Sequence, residues 1–206
     1  IMRNLFFSSI LFLFHFSAQG QCGCTNCPVT MPGFGPTIST ISISDATSGT
    51  LGQNGQDLRA VSLNLEHDDI GDLDISLVSP NGSTIDLSTN AGSTSSGLSS
   101  EFDICFLACA EDADPDPGFP EIFDSGAGYE ANNLYTGSYY PVDNSLCFED
   151  LSGSVNGDWR LEIFDSDFGG SGTLFGWELS FYDNDGTGCQ EACSSSPCLA
   201  NGGDLD

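Results

Sequence analysis

Apolar and polar residues alternate in short runs along much of the chain: Ile41 and Ile43; Val61, Leu63 and Leu65; Leu73, Ile75 and Leu77; Trp159, Leu161 and Ile163; Trp177, Leu179 and Phe181. A period of two sends successive side chains to opposite faces of a strand, so each run predicts a strand with one buried face. The opposite faces are polar, with Asp72, Asp74 and Ser76 in one run and Arg160 and Glu162 in another. Beyond residue 20 no stretch sustains the apolar spacing of a helix. Asn54-Gly55, Asn81-Gly82 and Asn156-Gly157 fall between runs, and Asn-Gly accepts the positive φ angles of tight hairpin turns. Two packed antiparallel sheets bury such strands most economically, which predicts an all-β sandwich starting near Thr37.

Four segments break the alternation. Arg3, the apolar run Leu5 to Phe16 and the small residues of Ala18-Gln19-Gly20 have the form of an export signal over residues 1–20, cleaved after Gly20. That run is too short to cross a bilayer, which takes roughly 20 residues of helix. About 185 residues would remain, enough for one sandwich domain. Residues 21–36 are rich in Cys, Gly and Pro without periodicity and predict a stapled lead-in that is neither strand nor helix. Ala110 to Tyr140 carries Asp112, Asp114 and Asp116 with several glycines and prolines, and predicts a long surface excursion from one edge of the sandwich. Its Phe119, Phe123, Tyr129, Tyr135, Tyr139 and Tyr140 are expected to pin it to the sandwich, stacking on a glycan or protein ligand being the alternative. Residues 184–206, rich in Gly, Ser and Cys, read as a linker to a downstream region that holds a missing cysteine partner.

The nine cysteines form three groups: Cys22, Cys24 and Cys27; Cys105, Cys109 and Cys147; Cys189, Cys193 and Cys198. In an exported chain these argue for disulfides over a zinc site. A Cys109–Cys147 bridge would close the excursion, Cys105 is an equally good partner, and spacing leaves the pairing open. Charge narrows the partners: the chain has no lysine, only Arg59 and Arg160 beyond the signal, and 30 acidic residues. Such a surface repels phosphates, so nucleic acid and anionic membranes are excluded as partners, while cations are favoured.

A hydrolytic triad needs a histidine beside its nucleophile, and beyond residue 20 the chain offers only His67, followed directly by two aspartates. A structural histidine bonded to a neighbouring loop is the expectation. No nucleophile elbow, phosphate loop, zinc helix or dinucleotide fingerprint occurs, so no catalytic role is expected of this chain by itself. Calcium is the cofactor to test, because it takes six to eight oxygen ligands and suits carboxylates on loops. Asp68, Asp69 and Asp72 lie in one loop, Asp103 precedes Cys105, and Asp165 and Asp167 sit in a Gly-rich turn. The plainer use of the same residues is to face water and form Asx-turns. Asp183-Asn184-Asp185-Gly186 lacks the later ligands of a calcium loop, with Thr187 and Ser194 in their places.

The segment Leu63 to Gly82, with Asn156-Gly157-Asp158-Trp159-Arg160-Leu161 and Gly172-Thr173-Leu174-Phe175-Gly176-Trp177-Glu178-Leu179, resembles the P domain, or P/Homo B domain. This module accompanies proprotein convertases, the kexin-like subtilases and many bacterial secreted proteases. The resemblance covers residues 37–183. It implies a jelly-roll-like antiparallel sandwich, here with Cys-rich extensions at both ends, that stabilises or regulates a neighbouring domain of the same secreted or cell-surface polypeptide. It also implies bound calcium, with Asp69, Asp72, Asp103 and Asp165 as first ligands and Asp167 beside them. The long excursion and the absence of a protease domain ahead of the module depart from the family pattern. Adhesion to a glycan or a cell-surface protein is the alternative function.

Overall fold

The computed structural model describes residues 23–44, 46, 50–51, 57–90, 93–94, 99–107, 121–122, 128–129, 132–142 and 148–181. The signal, Asn54-Gly55, Asp183 to Gly186, the residues 184–206 and every cysteine except Cys24, Cys27 and Cys105 lie outside them.

The chain runs through β1 (Val29–Met31), β2 (Gly35–Ile43), β3 (Thr50–Leu51), β4 (Leu58–His67), β5 (Leu73–Val78), β6 (Thr84–Thr89) and β7 (Ser93–Thr94). It continues through β8 (Ser100–Leu107), β9 (Glu121–Ile122), β10 (Gly128–Tyr129), β11 (Leu134–Tyr140), β12 (Gly153–Ser154), β13 (Gly157–Asp165) and β14 (Gly172–Phe181). A six-stranded sheet in the order β1-β14-β4-β8-β11-β9 faces a four-stranded sheet in the order β2-β13-β5-β6, with the small pairs β10-β7 and β12-β3 beside them. The alternation seen in the sequence is the reason: β2 and β13 bury every second residue along their lengths. Ile41, Leu63, Leu65, Ile75, Leu161 and Leu179, drawn from both sheets, meet in one core, and the all-β sandwich stands.

Both tryptophans are buried, and each indole N–H has an acceptor, as a polar group out of water requires. Trp159 donates to the Val155 carbonyl at 2.9 Å and Trp177 to the Ser39 hydroxyl at 2.8 Å. Ser39 in turn donates to Asn26 at 2.7 Å, which ties the lead-in to the core. A Cys24–Cys27 disulfide staples that segment, in line with disulfides over metal for these two residues. Cys105, buried on β8, is also disulfide-bonded.

Three expectations need correction. The lead-in is partly strand: β1 pairs with β14, and Gly23 bridges Glu178 on the same edge. An uncovered edge would leave a row of unpaired backbone groups, and this segment covers it. The excursion is not all surface loop, because Leu134–Tyr140 pairs in parallel with β8 and makes that strand interior to the sheet. Tyr135 stacks on buried Phe102 with ring centroids 5.3 Å apart, and Tyr139 also packs against the core, which is the pinning role. Finally, Asn156-Gly157 is not a hairpin turn: β12 pairs with β3, and β13 with β2 and β5. Asn156 instead clasps Ala46 from both sides, accepting from its N–H and donating to its carbonyl, each at 3.0 Å. Asn81-Gly82 does turn β5 into β6, with Gly82 at φ +90°.

Candidate functional site at an acidic corner

β4 ends at His67, and the chain turns through Asp68 and Asp69 into a single 3-10 turn, Ile70–Asp72, before β5. Asp69 caps that turn, its Oδ1 accepting the Gly71 N–H at 3.1 Å. On the other sheet β13 ends at Asp165 and loops through Asp167 into β14. Because Gly172 pairs with His67 and Asp165 with Leu73, the register brings both loops to one end of the sandwich. They are stitched together there. Ser166 donates its N–H and its hydroxyl to the Asp72 carbonyl, each at 2.9 Å, and the Ser171 N–H donates to Asp68 at 3.2 Å.

His67 is wholly buried beneath this junction. Its Nδ1 lies 2.6 Å from the Asp69 carbonyl oxygen and its Nε2 lies 3.2 Å from Oδ2 of buried Asp165. Both ring nitrogens are therefore engaged by groups of the adjoining loops, Nδ1 also lying 3.1 Å from the Asp69 N–H that donates to it, which is the structural role expected of this residue. Asp165 is committed as well: its Oδ1 accepts the Asp167 N–H at 3.2 Å, and Asp167 accepts from Phe168 at 2.7 Å. The ring also dictates small neighbours. A Cβ on Gly172 would fall 2.6 Å from His67 Cδ2 and 2.3 Å from the Glu66 carbonyl, too close for any side chain.

Four of the five aspartates singled out as metal ligands meet at this corner. Burial raises the Asp72 carboxyl above its ordinary value, Asp69, Asp167 and Asp165 add to the rise, and His67 opposes it. The Asp72 carboxylate itself receives no hydrogen bond among the described residues. The arrangement is nonetheless not a ready cage: Asp69, Asp165 and Asp167 already accept backbone N–H groups, and among the described residues no three His, Cys, Asp or Glu side chains are grouped to hold an ion.

Asp103 is elsewhere. It lies on β8 opposite Asn64 of β4, in mid-sheet, and its carboxyl is raised by burial and then by Glu101. Glu178 on β14, which the sequence did not mark out, is raised by burial too. Both line a cavity on the outer face of the six-stranded sheet. The acidic corner was findable because carboxylates near strand ends collect where strands end. Glu178 carried no such signal, since only the strand order places it near Asp103.

Residues 58–106, which run from β4 through β8, match the family model of the proprotein convertase P-domain. No curated protein sequence matches the chain. A serine protease of Aeromonas sobria is similar in structure at a TM-score of 0.29 and 16% identity, over 74% of this chain and 26% of the protease. The chain therefore spans about a quarter of that protein's length. The matched segment contains Leu63 to Gly82, and the other motif strands, β13 and β14, pair directly with β5 and β4 inside it. Residues 58–106 are thus similar to the P-domain that the motifs resemble.

Proposed function

We propose that the chain is a non-catalytic P-domain module of an exported polypeptide that docks on and stabilises a neighbouring domain, of the protease type with which P-domains are associated. Export accords with the family and with the form of residues 1–20. Among the described residues no helix is long and apolar enough to cross a membrane.

The observation that carries the docking is an exposed aromatic cluster. Phe34 stacks on Phe168 with centroids 4.1 Å apart, Phe164 meets Phe34 edge-on at 6.1 Å, and all three are exposed, Phe168 by 78%. Ile38, on the same strand face as Pro36 opposite Phe164, extends the patch. Large apolar side chains gathered on a surface mark contact sites, whereas scattered ones need no explanation. The patch adjoins the acidic corner through the Asp165 to Phe168 turn. Calcium belongs to this reading as a stabiliser of that corner: the carboxylates of Asp72, Asp69 and Asp167 are the donors it would draw together.

The test is expression of the polypeptide encoded by the complete gene, with and without Phe34→Ser and Phe168→Ser. A hydrolase domain in the same polypeptide, melting as one unit with the module and separating from it in the double variant, is the expected result. A gene without such a domain, or a variant that melts with the module still coupled, overturns the proposal.

A further inference from the structure

Three strands build a polar cavity on the outer face of the six-stranded sheet, away from both the acidic corner and the phenylalanine patch. β4 lies between β14 and β8, with Asn64 opposite Gly176 on one side and Asp103 on the other, and Ser62 opposite Glu178. The lead-in, held to β14 by the Gly23–Glu178 bridge and the bond from Cys24 N–H to the Trp177 carbonyl, forms a wall. The volume of this open cavity is about 440 Å³. Its floor is open because Gly176 stands where a side chain would project: a Cβ there meets nothing within 4 Å.

The chemistry of the lining is one-sided. The Asn64 amide oxygen is buried with no hydrogen-bond partner, and neither Asp103 nor Glu178 receives a donor among the described residues. A buried amide oxygen without a donor is costly unless something supplies an N–H group. The two carboxylates sit on strands flanking β4, about 10 Å apart across the sheet and offset by two residues along it. Two carboxylates and one amide oxygen make a set short of the six to eight oxygens that calcium takes. It suits a planar fork of donors reaching an acceptor on each side, which is the geometry of a guanidinium. The chain has no lysine of its own and three basic residues in all, so an outside cation meets little competition.

We propose that this cavity is a receptor for an arginine side chain of a partner polypeptide, its guanidinium held between Asp103 and Glu178 with Asn64 Oδ1 accepting beneath it. The site lies on the opposite sheet from the Phe34 patch, so its failure leaves the P-domain reading intact.

The probe is Nα-acetyl-arginine methylamide, titrated against the ¹⁵N-labelled chain with the norleucine analogue as control. Saturable shifts are expected at Asn64, Asp103, Gly176 and Glu178, absent with norleucine. Asp103→Asn with Glu178→Gln should weaken binding at least about tenfold, the loss expected when charge-assisted acceptors become neutral. Gly176→Val keeps every charge but fills the floor, and should abolish the shifts while the melting midpoint holds. A titration without saturation, shifts spread equally over Asp69 and Asp72, or binding undiminished in Gly176→Val would each overturn the proposal, since all three describe a nonspecific attraction to an acidic surface.

Discussion

His67 and Asp165 each bond the other and a group of their own loop, and neither has water to fall back on. Removing one side of a buried hydrogen-bonded pair leaves the remaining group unsatisfied, a loss of about 1–3 kcal/mol and more where that group is charged. His67→Ala should lower the unfolding free energy by about 3 kcal/mol, with a further loss of packing against Gly170 and Gly172. Urea denaturation reads this directly, and a cost below about 1 kcal/mol would show that Asp165 does not depend on the ring. Asp72 is the opposite case, a carboxylate whose environment disfavours its charge. Its folded value lies above the ordinary 3.8, as does that of Asp103, and Glu178 lies above 4.5. The folded state thus holds these protons more tightly than the unfolded chain, so their contribution is full below the ordinary values and is lost as pH rises through the folded ones. Acidification from neutral pH toward those values should raise the melting midpoint. Asp72→Asn should melt above the wild type at neutral pH, by a margin that shrinks on acidification and, Asp72 being largely solvated, also in salt. A lower midpoint for the variant at neutral pH would show that Asp72 holds something together at the corner.

The strands differ in how openly the sequence announces them, and the reason is how many faces each one buries. β2, β4, β5, β13 and β14 alternate because one face meets the core and the other meets solvent. β8 has the same signal in Phe102, Ile104 and Phe106, but Cys105 is buried on its other face and blurs the alternation. β11 is nearly illegible: its residues are mostly half-buried, and it exists because a distant strand, β8, offers a parallel edge. β1 is three residues long and is strand only because β14 needs its edge covered. The same logic separates the candidate residues. Asp69, Asp72, Asp165 and Asp167 lie near strand ends that the topology gathers, whereas the relation of Asn64, Asp103 and Glu178 depends on register across three strands. That register has a sharp test at Gly172, where β1, β14 and β4 close in. A Cβ there would lie 2.6 Å from Met31 Cε and 2.3 Å from the Glu66 carbonyl, and backbone cannot yield as a side chain can. Gly172→Ala should therefore cost about 1–3 kcal/mol, at the upper end of overpacking, against a negligible change for Gly176→Ala four residues along the same strand. Equal effects at the two glycines in chemical denaturation would mean that the β14–β4 seam is loose.

At the scale of the molecule, a formal charge of −27 on 206 residues sets the background for every cation effect. Any salt relieves self-repulsion and raises stability a little, so a calcium response has meaning only against matched ionic strength. A specific ion at the acidic corner would tie the β4–β5 loop to the β13–β14 loop, reinforcing bonds such as Ser166 to Asp72 that already join the two loops there. The coupling is large enough to separate from screening: an ion present at a hundred times its dissociation constant adds about 2.7 kcal/mol to the unfolding free energy. Affinities of about 0.1–1 mM suffice for occupancy outside the cell, so millimolar calcium against chelator, with sodium chloride matched, is the informative comparison. The midpoint should rise with calcium, and the rise should disappear when Asp72→Asn and Asp167→Asn remove the two carboxylates best placed to turn toward an ion. Asp103→Asn, on the far face of the six-stranded sheet, should leave the calcium response unchanged. A midpoint indifferent to calcium would confine these carboxylates to capping and solvation. A rise that survives the Asp72 and Asp167 substitutions but not that of Asp103 would move the ion to the outer cavity, and with it the claim that the cavity is shaped for a guanidinium would fail.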